Sequence, residues 1–520
     1  MKALILGKWT YPAVAVLVAA VIILLPLMLH RQRSLPGGTD IATDPVPVPP
    51  ASVRLLIDDT SWDEAEGRRV IRQEIFDEML AMIHRADSFV LVDLFLWNPW
   101  TGAFPDRHRE LSTELAEALI RKKRTDRDVD ILVLSDPINR IYGADEPSFF
   151  KDMAKAGIPV VFTDLSLLPD SNRFYAPYWS ILERILDSES VGPWAREPRL
   201  TNPFERGGER ISLLQFGRLL LFKANHRKVL ITGSSEHGLE MLMGSLNPAD
   251  GSSAHSNMAL HVSGKAVLEA LYSELEVLRW SLGRKLNVIV GATGAASFKA
   301  GSIQRRSLTL VPEGDSGEDW PRVQLLTEGS IATAVVELLS GAGKGDEVRI
   351  ALFYLSDRRV VQAIKGAVRR GASVRLVLDA NRDAFGMRKV GVPNRQVAAE
   401  LMELSGQHSV AVRWADTHGE QFHTKSMSIT YADGRPGAFT TGSANWTRRN
   451  IANLNLEANL LVTGADSVMR DFNAYFDRIW DNADGLSHTL PYGAWQEKGL
   501  RLAVKGLLYR WQEWSGMGTF

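Results

Sequence analysis

Asn225-His226-Arg227-Lys228, with Gly244-Ser245-Leu246-Asn247 behind it, recurs later in the chain as Phe422-His423-Thr424-Lys425 with Gly442-Ser443-Ala444-Asn445. In each copy His and Lys stand two apart. Asn follows His by twenty-one residues in the first copy and twenty-two in the second. Residues i and i+2 of a strand share a face, so each His-x-Lys sets an imidazole beside an ammonium. Two such pairs brought together would offer a phosphate two histidines and two lysines. One His-x-Lys arises by chance in many proteins; two copies with matched Gly-Ser-x-Asn do not.

The surroundings repeat as well. Val53-Arg54-Leu55-Leu56 opens one half and Val323-Gln324-Leu325-Leu326 the other. Each is followed by a helix-like segment (68–85 and 330–342) and an apolar strand (89–97 and 348–355). A second helix (110–122 and 359–370) and a second apolar strand (129–136 and 373–379) come next. Strands alternating with helices predict an α/β layer architecture, and nearly continuous apolar runs predict strands buried on both faces. The expected fold class is α/β, with two pseudo-symmetric domains packed around a shared cleft, plus an N-terminal transmembrane helix. The expected division is anchor 1–34, Pro-rich linker 35–52, first repeat 53–290, linker 291–320, second repeat 321–486 and basic amphipathic tail 487–520.

The chain has 520 residues, 45% of them hydrophobic, enough for two domains with their own cores. Its net charge of −1 gives no global basic field pointing to nucleic acid. With no cysteine, disulfides, thiol nucleophiles and cysteine metal sites are excluded. Residues 9–29 carry no charge and are long enough for a bilayer span. A single-pass anchor in the cell membrane is expected, with the body on the exported, periplasmic side, although the flanking charges are nearly balanced. Residues 165–224 have few matches in the second half and read either as a lid or as a helical insertion packed on its own half. In the tail, Leu500, Val504, Leu507, Leu508 and Trp511 form one apolar helical stripe, with Lys498, Arg501, Lys505 and Arg510 around it. That pattern suits either a lipid headgroup surface or an ordinary docked helix.

Over roughly residues 53–486 the paired motifs resemble the phospholipase D superfamily, in the form of a bacterial membrane-anchored, cardiolipin synthase-like member. The resemblance implies a phosphohistidine intermediate, with His226 as nucleophile and His423 as acid/base; the pseudo-symmetry alone leaves that order open. Lys228 and Lys425 would supply positive charge, Asn247 and Asn445 amide donors, and Ser245 and Ser443 hydroxyl donors to phosphate. Neither metal nor cofactor is expected. Glu457 resembles the family's acidic residue, which holds a histidine's second nitrogen. In the first half the matching count falls on Ala259, so His255, Asn257 or a backbone carbonyl would have to substitute. Gly233 and Thr430 stand where the family has aspartates. Asp136 and Asp379 end matching strands, where they would cap the following helices or line the cleft.

The expected partners are a phospholipid substrate, the membrane and a water or alcohol acceptor. Hydrolysis and phosphatidyl transfer begin with the same phosphoenzyme, so the sequence does not separate them, nor does it fix the headgroup or the oligomeric state. The alternatives are a nuclease of the same superfamily, disfavoured by the neutral charge, and an inactive phosphate-binding module.

Overall fold

The computed structural model describes residues 16, 21, 24–101, 108–144, 147–186, 188, 192–203, 208–283, 292–311, 317–384 and 387–518. Two large mixed sheets form its frame. The first has eight strands, in the order Arg68–Arg72, Val53–Asp63, Asn257–Ser263, Gly238–Gly244, Lys228–Ser234, Phe89–Leu94, Asp130–Ser135 and Val160–Phe162. The second has nine, in the order Val46–Pro47, Arg322–Thr327, Ala458–Thr463, Ala438–Gly442, Lys425–Thr430, Glu347–Leu352, Ser373–Leu378, Val410–Ala415 and Thr489–Pro491. From Val53–Asp63 and from Arg322–Thr327 onward, seven strands follow the same order. The registers agree too: Leu94 pairs with Lys228, and Leu352 with Lys425.

The apolar runs explain the central strands. Every residue of Phe89–Leu94 and Asp130–Ser135 is buried, as expected where helices or a second sheet cover both faces. Helices Ile75–Arg85 and Leu111–Thr125 bury Phe76, Met79 and Leu115 against the first sheet. Gly329–Gly341 and Arg358–Arg369 bury Val335 and Ile364 against the second. A third buried cluster joins the halves, taking Leu91, Met241 and Leu260 from one sheet and Phe439 and Leu460 from the other. The strands bearing Gly-Ser-x-Asn therefore lie against each other, at the seam.

Charge also crosses the seam. Arg227, wholly buried, donates to Ser273 at 2.9 Å and Glu274 at 3.2 Å in the first half and to Glu328 at 2.8 Å in the second. Glu328 in turn accepts the backbone N–H of Glu457 at 3.0 Å and of Asp40 at 2.7 Å. Burial pushes Asp93 and Glu274, which share a hydrogen bond, above the usual carboxylate range.

Both expected linkers are more ordered than their composition implies. Val46–Pro47 adds an edge strand to the second sheet, a position that tolerates proline because the outer N–H needs no partner. Asp40 accepts from Ser330 N at 2.9 Å and from the Asn453 amide at 2.7 Å. Ala292–Thr309, inside the expected 291–320 linker, is a helix that buries Ala296 and Ile303 in the central cluster. Its glycines and polar residues hid the pattern, because among the described residues only two of its buried positions, Ala296 and Ile303, are apolar. The expected anchor, residues 9–29, falls largely outside the described residues. Residues 24–29 are helical, and among the described residues no helix is long and apolar enough to cross a membrane.

Replacing Arg227 by Met should strand Glu274 and Glu328 in the core and cost about 3–5 kcal/mol. Urea unfolding should show that loss, while Arg121→Met, which removes an exposed pair with Glu117, should stay within about 0.5 kcal/mol.

Candidate active site

Each His-x-Lys sits where a loop enters a central strand, and a buried carboxylate pins that loop. Asp136 accepts the backbone N–H of Asn225 at 2.7 Å, and Asp379 that of Phe422 at 2.9 Å. Asp136 also caps the 3-10 turn after its strand through Ile138 N at 2.7 Å. Burial lifts both carboxyls to about 7. These two aspartates therefore cap locally and also fix the residue before each histidine; their carboxyls do not face the cleft.

The halves then exchange backbone. His226 N donates to Leu456 O at 2.9 Å, and His423 N to Ser256 O at 2.9 Å. Each histidine is thereby oriented by the opposite half. His226 Nδ1 lies 2.8 Å from Glu457, and His423 Nδ1 lies 3.1 Å from Asn257 Oδ1. Glu457 thus serves the histidine of the first half rather than that of its own.

Sheet register corrects the matching of the two copies. Gly244 pairs with Ala259 and Gly442 with Asn459. The counterpart of Glu457 is consequently Asn257, and Ala259 corresponds to Asn459. The loop from Gly-Ser-x-Asn back into the sheet is two residues longer in the second half, where it holds the short helix Arg448–Ile451. Counting residues from Asn247 had missed that difference.

Ser245 and Ser443, expected to bind phosphate, lie behind the histidines. Both are fully buried. Ser245 donates to Asn257 at 3.0 Å and accepts from Met258 N at 3.1 Å. Ser443 donates to Glu457 and accepts from Ala458 N at 3.0 Å. Their hydroxyls are committed to the groups that hold the imidazoles. Gly233 leaves no space for a side chain: a Cβ there would meet Phe89 at 2.5 Å. Thr430 is exposed at its strand end.

His226, His423, Asn247 and Asn445 all line one cavity of about 340 Å³ at the seam. Lys228 and Lys425 lie beneath it, each donating to its own histidine's carbonyl, at 2.6 and 2.7 Å. Phe95 and Phe353 pack on His226 and His423 at 4.6 and 5.2 Å between ring centroids, and under Lys228 and Lys425. Burial draws His226 down to about 4, opposed by Glu457 and helped by Lys228. It draws Lys228 down to about 7, and His423 and Lys425 well below their usual ranges. A phosphate anion placed among these four groups would raise them all.

The cavity walls include residues that the repeat pattern could not single out. Phe216, Leu219 and Phe222 come from the insertion. They follow Ser212, which caps Leu213–Leu219 in a capping box with Gln215. The insertion is thus both a helical layer and one wall of the site. His255, expected only as one substitute for the missing acid, also lines the cavity, its ring 5.9 Å from that of His423. Its nearness to Asn257 was the available signal.

Residues 335–480 match the family model described as cardiolipin synthase, PLD-like domain. A curated human relative, mitochondrial cardiolipin hydrolase, is 29% identical over 140 residues; the match covers 27% of this chain and 48% of that protein, so the chain spans about half the relative's length. Phosphatidylserine synthase of Haemophilus influenzae is 12% identical, over 91% of this chain and 95% of that one, with a TM-score of 0.49. Nuc of Salmonella typhimurium, a phospholipase D family member, is 20% identical over 31% of this chain and 95% of that one, with a TM-score of 0.25.

Side-chain nitrogen NMR should find His226 neutral at pH 6, gaining its second proton only near pH 4. Because Glu457 raises the value, Glu457→Gln should lower it further. A titration near the ordinary 6.5 would contradict the burial seen here.

Proposed function

We propose that this chain, which belongs to the phospholipase D superfamily, is a phospholipid phosphodiesterase or phosphatidyltransferase that works through a phosphohistidine. The observation carrying the reading is the unequal backing of two histidines on one cavity: a carboxylate behind His226, an amide behind His423. A carboxylate on Nδ1–H leaves Nε2 as the lone-pair nitrogen and stabilises the positive charge that the ring acquires on attack. His226 Nε2 forms the bond to phosphorus, and the bond to the leaving alcohol oxygen breaks. His423, protonated in the presence of the phosphate's charge, gives that oxygen its proton. It then takes one from the incoming water or alcohol, which displaces His226. Lys228 and Lys425 neutralise the non-bridging oxygens, with Asn247 and Asn445 as amide donors. Asn257 and Glu457 act as positioning residues.

Two features favour phospholipid over nucleic acid. The cavity walls are largely apolar, with Phe95, Trp100, Leu219 and Phe222 among them, and suit a glycerol backbone and the start of acyl chains. The helix Gly499–Ser515 buries Tyr509 against the body and turns its apolar stripe the other way: Leu500 is 81% exposed, Leu507 73% and Trp511 43%. Phe174 meets Trp514 at 5.1 Å, and Ile181 and Ile185 extend the same apolar character into the insertion. Nearby, Arg33 donates to Ser166 O, and His30 lies 3.2 Å from Asp170. The charge-free run ahead of these residues would leave the body beside that surface, which fits a single-pass anchor with the cavity held at the bilayer.

Denaturing the enzyme during turnover of a lipid with radiolabelled phosphate, in EDTA, should trap label on wild-type protein. His226→Ala should trap none and lose roughly a thousand-fold or more in kcat. His423→Ala should still trap label from a lipid with a good leaving group, because that oxygen needs little protonation. Label retained by His226→Ala would overturn the assignment.

Protein lacking residues 1–29, which keeps the His30–Asp170 contact, should bind anionic vesicles in a salt-sensitive way. Leu507→Glu with Trp511→Glu should weaken that binding by about ten-fold or more without changing the melting temperature.

A further inference from the structure

A second concavity, of about 1010 Å³, opens beside the catalytic cavity, and Lys389 and Gly419 belong to the walls of both. Its charge is far from the −1 of the whole chain. Eight Lys and Arg side chains line it, against one carboxylate, Asp383. Two lie close to acids behind the wall: Arg69 is 3.3 Å from Glu420, and Lys505 pairs with Glu497. Arg395 reaches Glu497 only at 3.5 Å and gives its Nε to the Ala380 carbonyl. Arg382 donates to the Thr417 carbonyl at 3.0 Å, a neutral partner, and the carboxylate whose field it feels, Asp383, is shared with Arg388. Arg388 stands opposite Asp383 in a short hairpin and shares that carboxylate's field with Arg382, while among the described residues no ion pair is seen for Arg68, Lys389 or Arg501.

An aromatic ring gathers two of the groove's arginines. Arg382 and Arg395 each lie 4.6 Å from the centre of the Trp495 ring, so two guanidiniums are held together despite their like charge. Eight basic side chains against one carboxylate leave an excess of positive charge, and the guanidinium fork matches an oxyanion in geometry.

Building on the phospholipid reading, we propose that this groove is a second phosphate subsite, which selects substrates bearing another phosphate a few bonds beyond the phosphodiester held by the two histidines. Lys389, at the junction, would bridge the two phosphates. The aromatic rings argue for phosphate rather than for single-stranded nucleic acid. Base stacking needs a free aromatic face. Two arginines already lie against Trp495, and one face of Trp62 is taken up by His418 at 3.8 Å. Arg501 and Lys505 rise from the helix whose apolar stripe faces outward, so the groove opens where headgroups would lie.

The test compares full-length enzyme with an Arg68→Gln/Arg388→Gln/Arg501→Gln variant in mixed micelles. One substrate carries a neutral alcohol headgroup, the other a headgroup with a second phosphate. For the two-phosphate lipid, kcat/KM should fall by at least about ten-fold in the variant, mainly through KM, and should be unchanged within about two-fold for the neutral one. An equal fall for both would overturn the subsite and leave only general attraction to anionic surfaces. If wild-type enzyme turns over neither lipid, the phospholipid reading fails by itself, and calorimetric binding of inorganic pyrophosphate decides the groove. Weaker pyrophosphate binding in the variant sustains the second site; equal binding removes it. Groove-dependent binding of a single-stranded oligonucleotide tighter than that of the two-phosphate lipid would reassign the groove to nucleic acid.

Discussion

The exchange of chain between the two halves at their seam is the constraint on which the site depends. Each histidine takes its backbone partner and its side-chain partner from the opposite half. Behind them Arg227 ties Glu274 of one half to Glu328 of the other, with no access to water. A buried cation flanked by carboxylates from both halves is costly to pull apart, because separation strands charge in a low-dielectric interior. Neither half could hold its imidazole in register alone. The active arrangement is therefore a property of the interface, and the central apolar cluster shared by the sheets keeps that interface closed.

Pseudo-symmetry supplies the parts in duplicate, and small departures from it divide the labour. Asp136 and Asp379, Ser245 and Ser443, Phe95 and Phe353 occupy equivalent places and make equivalent contacts. Glu457 against Asn257 is the departure with chemical consequences. A carboxylate favours charge on the imidazole it touches; an amide fixes orientation without doing so. Around this core the walls also differ. The insertion contributes Phe216 and Phe222 on one side, and Lys389 opens towards the arginine groove on the other. An apolar wall and a basic one beside the same pair of histidines fit an amphiphilic, multiply charged substrate.

Much of this was legible in the chain. The seven-strand order common to both sheets follows from the repeated apolar runs, and the two motif histidines line one cavity, as the matched repeats led one to expect. Other features were hidden for definite reasons. The equivalence of Asn257 and Glu457 depends on register across a hairpin, and a two-residue difference in loop length defeats counting. The serines looked like phosphate donors because a hydroxyl's partner cannot be known before the strand behind it is placed. The Pro-rich segment before residue 53 reads as a spacer, yet it supplies an edge strand, because an edge uses only one side of the backbone.

By itself, the sequence determined which chemical groups are present, that they come in two copies, and that alternating strands and helices would carry them in layered sheets. These are consequences of local spacing and hydrophobic pattern, which survive without knowledge of distant contacts. Only the tertiary structure decided which histidine receives the carboxylate, which hydroxyls are already spent, and where scattered arginines converge. Those outcomes depend on contacts between residues far apart in the chain, such as His226 and Glu457, or Arg68, Arg388 and Arg501. Strand register and the packing of one half on the other set such contacts, and no periodicity along the chain records them.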